Sequence, residues 1–278
     1  MSRVVRPSSD NVGVVTTIAV AGSTVDYTTA GEGPGLVLVH GTSATGHSNF
    51  GPVLDRLTDQ WRVVLPDYAG SGATTLPDDE ITLDLAVEQI AAVISDAGDT
   101  AVDLVGDSLG AMVAAATAAR HPDLVRGLVL IAPWSDSTDA RHQLAFATWE
   151  RLVAQDAELS NRYGMLMALS PAFLAAMNSE ALDEFAALDR PPHGTVDRIR
   201  LDQRIDVRAD AATITAPTLI IAGAHDYLVP EYQSRGMHEL IPGSRYVSVP
   251  SGHGALLEQS DAVVALVRDF LLEDRLPR

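Results

Sequence analysis

A serine with glycine two positions to either side, Gly106-Asp107-Ser108-Leu109-Gly110, is the segment of this chain best suited to chemistry. It follows an apolar run over residues 101–105 and precedes an alanine-rich stretch over 111–120. A strand, a tight turn and a helix in that order lift a hydroxyl clear of the backbone, and the flanking positions must lack a clashing Cβ. The helix start then offers free N–H groups and a positive dipole end where a substrate oxygen would gain charge. Attack on a carbonyl is the chemistry this suits. The plain alternative is a strand-to-helix turn with an incidental serine.

A serine hydroxyl is a poor nucleophile without a base, and the base needs an orienting acid. Both follow in the order Ser, Asp, His. Asp226 lies in Gly223-Ala224-His225-Asp226-Tyr227-Leu228-Val229-Pro230, just past an expected strand. His253 lies in Pro250-Ser251-Gly252-His253-Gly254, between the last strand and the last helix. Asp136, in Pro133-Trp134-Ser135-Asp136, is the rival acid; Asp226 is preferred. Asp107 adjoins the serine but sits off the centre of the turn, which disfavours an aspartate nucleophile and suits a hydrogen-bonding scaffold. His40 reads as holding its own loop, and His121, His225 and Asp67 as turn residues. His142 and His193 are within reach of a ligand, but a solvated surface role is the plainer reading of both.

The elements that must position these residues follow from periodicity. Residues 14–20 and 24–29 alternate about Ala21-Gly22-Ser23 and read as a hairpin. Short, nearly all-apolar runs at 36–39, 62–65, 102–105, 128–131, 218–221 and 246–249 suit parallel strands buried on both faces. Helical patterns at 50–58, 81–97, 109–120, 231–240 and 255–272 separate them. The predicted fold is α/β: one doubly wound, mostly parallel, eight-stranded sheet. Residues 135–210 show no convincing strand, only helical spacing broken by Pro171, Pro191 and Pro192. That insertion is too long for a loop and reads as a helical cap over the ligand-binding sheet edge. The expected division is core over 1–134, cap over 135–210 and core again over 211–278. Gly41, Trp134, His142, Phe146, Trp149 and Met165 are the expected pocket residues, though any of the cap's large side chains is as well explained by packing the cap against itself.

Composition narrows the partners. The 278 residues, 46% of them hydrophobic, suffice for one large domain with an insertion. All 19 basic residues are Arg, so lysine Schiff-base chemistry is excluded. The net charge of −18 argues against nucleic acid and anionic membranes. With no Cys there is neither a disulfide nor a thiolate metal site. Metal-ligand spacings and a Gly-rich phosphate loop are also missing, so no cofactor is expected. Residues 1–15 hold no uninterrupted apolar run and no later run reaches membrane-spanning length. The expectation is a cytoplasmic protein with a small-molecule partner and no membrane contact, with a homodimer left open.

Five ordered motifs resemble the α/β-hydrolase superfamily, over nearly the whole chain. Leu36-Val37-Leu38-Val39-His40-Gly41-Thr42 is similar to its oxyanion strand and loop, and Pro66-Asp67-Tyr68-Ala69-Gly70-Ser71-Gly72 to the turn after the next strand. The serine turn, the acid turn and the Gly-His turn follow in order. The resemblance implies Ser108 as nucleophile, His253 as base and Asp226 as orienting acid, with the N–H groups of Thr42 and Leu109 as oxyanion hole. It points to the capped enzymes: lactonases, cofactor-free haloperoxidase-like esterases and C–C bond hydrolases. The segment 45–50 shares that texture. The implied activity is hydrolysis of an ester, lactone or thioester with an apolar body. A carrier-protein thioester is less attractive, because Arg190, Arg198, Arg200, Arg204 and Arg208 are interleaved with aspartates and leave no basic patch. The alternatives are a C–C bond-cleaving or cyclising enzyme on the same fold and a small-molecule receptor with a vestigial triad.

Overall fold

A computed structural model describes residues 4–7, 13–78, 80–187 and 191–273. Among these residues, nine strands form one sheet: β1 (Val4–Pro7), β2 (Val14–Val20), β3 (Ser23–Ala30), β4 (Gly35–Val39), β5 (Arg62–Asp67), β6 (Val102–Asp107), β7 (Val125–Ile131), β8 (Thr218–Gly223) and β9 (Arg245–Val249). Their order is β1-β2-β3-β5-β4-β6-β7-β8-β9. The first three strands and the β3–β5 pair run antiparallel, and every pairing from β5 to β9 is parallel. The eight expected strands are β2 to β9. The ninth, β1, adds to the edge of the described sheet, antiparallel to β2.

Among the described residues, twelve α-helices accompany the sheet. They are α1 (Gly46–Leu54), α2 (Leu83–Asp96), α3 (Leu109–Arg120), α4 (Ala140–Gln155), α5 (Ala157–Ala168), α6 (Pro171–Ala176), α7 (Ser179–Ala186), α8 (Thr195–Asp202), α9 (Arg208–Ala211), α10 (Glu231–Leu240), α11 (Ala255–Glu258) and α12 (Ser260–Glu273). Helix α1 starts earlier than its apolar pattern, because Thr45 and Ser48 form a reciprocal capping box. The pattern over 255–272 is broken at Gln259, which leaves helical geometry and separates α11 from α12.

Alternate residues of each central strand enter opposite cores. Val37, Val39, Leu104, Leu128, Leu130 and Ile220 pack with α2 and α3 on one face. Leu36, Leu38, Val105, Val129, Ile131 and Ile221 pack with α1 and α12 on the other. Each such side chain contributes about 1.5–3 kcal/mol of burial, which is why these runs carry no polar alternation. Between β7 and β8 the chain forms α4 to α9, and an isolated antiparallel bridge between Asp136 and Asp206 brings the segment before α4 beside the segment after α8. None of the described helices is long and apolar enough to cross a membrane.

Candidate active site

Sheet topology reverses at β4, so β5 lies on one side and β6 on the other. Register pairs Val39 with Gly106, which puts residues 40–42 beside 107–109. Ser108 takes φ +57 and ψ −122 between β6 and α3. A non-glycine residue in that region stores about 1–3 kcal/mol of strain. Its neighbours hold it there: the Ser108 N–H donates to Ile131 O at 2.9 Å, and Ala111 N–H donates to Ser108 O at 2.8 Å. A Cβ on Gly110 would lie 2.0 Å from Val39 O, and one on Gly106 2.3 Å from Gly110 O. The turn fits only because both are glycine.

Register at the other end of the sheet pairs Gly223 with Val249, which brings the loops after β8 and β9 together. His253 Nδ1 lies 2.6 Å from Asp226 Oδ2, and Nε2 lies 2.8 Å from Ser108 Oγ. The carboxylate accepts from Nδ1–H, so Nε2 is left to accept from the serine hydroxyl. Asp226 Oδ1 accepts the Leu228 and Val229 N–H groups, each at 2.8 Å, which fixes the carboxylate plane. Ser108 and Asp226 are buried and the His253 side chain is 10% exposed, so water reaches the imidazole only at its edge. Burial disfavours the imidazolium, but the Asp226 charge and hydrogen bond outweigh it and raise His253 above the ordinary histidine range.

Residues 40–42 form a loop whose polar groups are almost all engaged. Gly41 N–H donates to Asn49 Oδ1 at 2.8 Å. Gly41 C=O accepts His40 Nδ1–H at 2.8 Å. That bond polarises the same peptide group that carries the Thr42 N–H. The neutral imidazole is assured: burial and the nearby Arg198 charge lower His40 to about 3. Its ring stacks on Tyr68 at 4.3 Å, and Tyr68 Oη donates to His40 O at 3.0 Å. The N–H groups of Thr42 and Leu109 have no hydrogen-bond partner among the described residues. Gly41 lies against the serine, with its Cβ position 3.3 Å from Ser108 Cβ.

The other sequence candidates fall elsewhere. Asp136 accepts from Ser135 Oγ at 3.1 Å and from the N–H and hydroxyl of Thr138, and does not meet His253. Those bonds, the Thr138 hydroxyl first, hold its carboxyl below the usual range. Asp107 accepts Asn49 Nδ2–H at 2.9 Å, so one asparagine holds both the elbow and the Gly41 loop. Asp67 accepts Gly46 N–H at 2.7 Å, His121 ends α3, and His225 is exposed in its turn. His193 is exposed. His142 is not: it is fully buried, and its Nε2–H donates to Asp202 O at 2.9 Å. Its side chain lies on the inward face of α4 with Ala145, Phe146 and Trp149. Phe146 stacks on His142 at 4.3 Å and lies 5.9 Å from Trp149, while Trp134 packs 5.3 Å from His142. Met165 is apart from that row, in a small cluster with Leu169 and Ala186. Arg190 lies outside the described residues.

Three residues escaped the sequence reading. Asn49, at the start of α1, carries no mark that separates it from a surface asparagine. Arg198 and Asp202 are wholly buried on α8, yet in the sequence they belong to a run of alternating charges that reads as a solvated face.

The sequence pattern of the α/β hydrolase fold family matches residues 34–260. A pyrrolizixenacetamide deacetylase of Xenorhabdus hominickii is 34% identical over 264 residues, spanning 94% of this chain and 99% of that protein. A pimeloyl-[acyl-carrier protein] methyl ester esterase of Xanthomonas campestris is 32% identical, over 87% of this chain and 96% of its own. Among solved structures, an α/β-hydrolase enzyme from a Medee basin deep-sea metagenome library superposes with a TM-score of 0.84 at 20% identity, covering 94% of this chain and 99% of its own, a likeness of fold. The chain belongs to the α/β-hydrolase family and is a hydrolase.

Proposed function

We propose that this protein is a serine hydrolase that cleaves a small to medium ester, lactone or thioester through an acyl-enzyme on Ser108. The observation that carries this is the continuous hydrogen-bonded series Ser108–His253–Asp226, at 2.8 and 2.6 Å, beside two free backbone donors. His253 Nε2 takes the Ser108 proton as Oγ bonds to the carbonyl carbon. The resulting oxyanion is held by Thr42 and Leu109 N–H, where one donor is typically worth about 3 kcal/mol. The imidazolium then gives its proton to the leaving group, and water reverses the sequence to release the acid. Trp134, Phe146 and Trp149, which pack as one row between the sheet and helix α4, give the apolar side of the substrate's setting.

A second pairing of acyl group and leaving group has a specific support. The deacetylase relative acts, by its name, on an acetamide, and an amine leaves from the same tetrahedral intermediate once His253 protonates it. A carrier-protein substrate, as the esterase relative's name describes, has less support here. Arg200 is paired with Glu150 and Asp197, Arg204 with Glu80 and Arg208 with Asp206, while Arg198 is buried.

The test is intact-mass analysis after treatment with a small fluorophosphonate, beside Ser108→Ala. One adduct on the wild type and none on the variant is expected, and an ester, lactone, thioester and acetamide panel then ranks the leaving groups. An adduct that persists on Ser108→Ala, or a folded wild type that takes none, overturns the covalent mechanism.

A further inference from the structure

Thr42 is gripped from the helical insertion rather than from the sheet alone. Its C=O accepts Arg198 Nε–H at 2.6 Å, and its hydroxyl donates to Asp202 Oδ2 at 2.7 Å. The neighbouring Gly41 N–H and C=O are taken by Asn49 and His40. Of the polar groups of Gly41 and Thr42, the Thr42 N–H alone is unpartnered among the described residues. We infer that Arg198 and Asp202 of α8 are positioning residues that orient the Thr42 peptide as an oxyanion donor. This rests on the acyl-transfer reading above.

The chemistry of Arg198 supports such a role. It is fully buried, and the charges of Asp202, Asp67 and Asp197 act on it without any of them forming an ion pair with it among the described residues. A buried charge without a close counter-ion is costly and is retained where its hydrogen bonds have a use. Arg198 spends its two shortest on backbone: besides Thr42 O, Nη1–H donates to Ala69 O at 2.8 Å, while Nη2–H reaches the Thr195 hydroxyl at 3.4 Å. One planar fork therefore ties the loop after β4 to the loop after β5. A lysine carries the charge but not this two-directional geometry.

The helix that carries the pair is fixed at both ends. Gly194, Arg198 and Asp202 are spaced i, i+4, i+8 and share a face. At the start, Gly194 N–H donates to Gly70 O at 2.8 Å, and a Cβ on Gly70 would lie 2.5 Å from Gly194 Cα. At the end, Asp202 O accepts Ser137 Oγ–H at 2.6 Å and His142 Nε2–H at 2.9 Å. Asp202 also has a second oxygen, Oδ1, buried with no partner. Burial raises the Asp202 carboxyl well above the ordinary range, against the Thr42 hydrogen bond and the Arg198 charge. A group this expensive to bury, aimed by a fixed helix at one hydroxyl, sets the loop's conformation.

The experiment measures phosphonylation of Ser108 by the fluorophosphonate at several probe concentrations, which separates the limiting rate from half-saturation. Thr42→Val removes the hydroxyl and keeps the N–H; Asp202→Ala removes its acceptor. Both are expected to lower the limiting rate about 10-fold or more with half-saturation nearly unchanged, because a misplaced donor costs transition-state rather than ground-state binding. Asp202→Asn, which keeps an oxygen for Thr42, recovers much of the Asp202→Ala loss; Arg198→Lys follows Asp202→Ala. If the wild type and these variants are labelled at one limiting rate, or if Asp202→Asn is as slow as Asp202→Ala, the positioning role is wrong while the serine mechanism stands. A wild type that takes no adduct removes both. Circular dichroism excludes misfolded variants, and should Arg198→Lys not fold, the Thr42 and Asp202 pair decides.

Discussion

The proton inventory of the site hangs on one imidazole. His253 is pulled in two directions: burial favours the neutral ring, and the Asp226 carboxylate, with smaller help from Asp107 and Asp202, favours the charged one and prevails. A base works only when neutral, so an imidazole that holds its proton more tightly loses activity at a higher pH. The acid limb of kcat/KM is therefore expected above the ordinary histidine value of 6.5. In Asp226→Asn the largest raising influence goes while burial remains, so the limb moves downward, and turnover falls by roughly 10³–10⁴ as the ring loses its tautomer. Stability runs the other way. A raised histidine contributes stability that is fully present below 6.5 and is lost as pH rises through the folded-state value. A pH–rate profile of both proteins checks the first statement; a limb that is unmoved in Asp226→Asn contradicts it.

Elements place these residues by close approach of backbone. The elbow requires α3 to start almost in contact with β4, and Gly110 is the point of contact, 2.0 Å from Val39 O to any added Cβ. Gly110→Ala is expected to cost several kcal/mol, on the order of the largest point-mutation effects, and to be read as a lowered Tm or as insoluble protein. Gly164→Ala, at a helical site with nothing within 4 Å, is the control and should stabilise by a few tenths to about 1 kcal/mol. Such elements were legible in the sequence wherever both faces are buried: β4, and β8 after its first residue Thr218, are unbroken apolar runs. The serine turn and the two loops that bring Asp226 and His253 to it were equally legible, since glycine spacing reports backbone constraint directly. Boundaries set by side-chain caps were less so, as at Thr45 and Gln259. Arg198, Asp202 and His142 were illegible for a physical reason. A charged residue at helical spacing looks the same facing water or facing buried carbonyls, and only tertiary packing decides between them.

At the scale of the molecule, the helical insertion is not one unit. Helices α4 and α8 are anchored in the large core by Phe146, Trp149, Ile199 and Leu201, and α8 is bonded to the loops after β4 and β5. Helices α5 to α7 share a small cluster around Met165, Leu169 and Ala186; α5 is also tied to α4 by Tyr163, whose Oη donates to Ala145 O at 2.9 Å, whereas α6 buries no residue fully. Their link to the site is at the end of α5, where Ala168 O accepts the Gly254 N–H beside His253 at 3.0 Å. Local opening free energy follows buried apolar contact, so the two halves should open independently. Substrate entry past α6 and α7 would then leave the Thr42 loop intact, because the helix that grips it belongs to the stable half. Hydrogen exchange read by mass spectrometry is the measurement: peptides from residues 171–186 are expected to exchange at least about 10-fold faster than those from 195–202, which corresponds to a gap of about 1.4 kcal/mol or more in opening free energy. Equal protection across both segments would mean that the insertion opens as a single body. In that case admission of substrate and loss of the oxyanion donor would be one event, and the fold would have to close α8 again before each turnover.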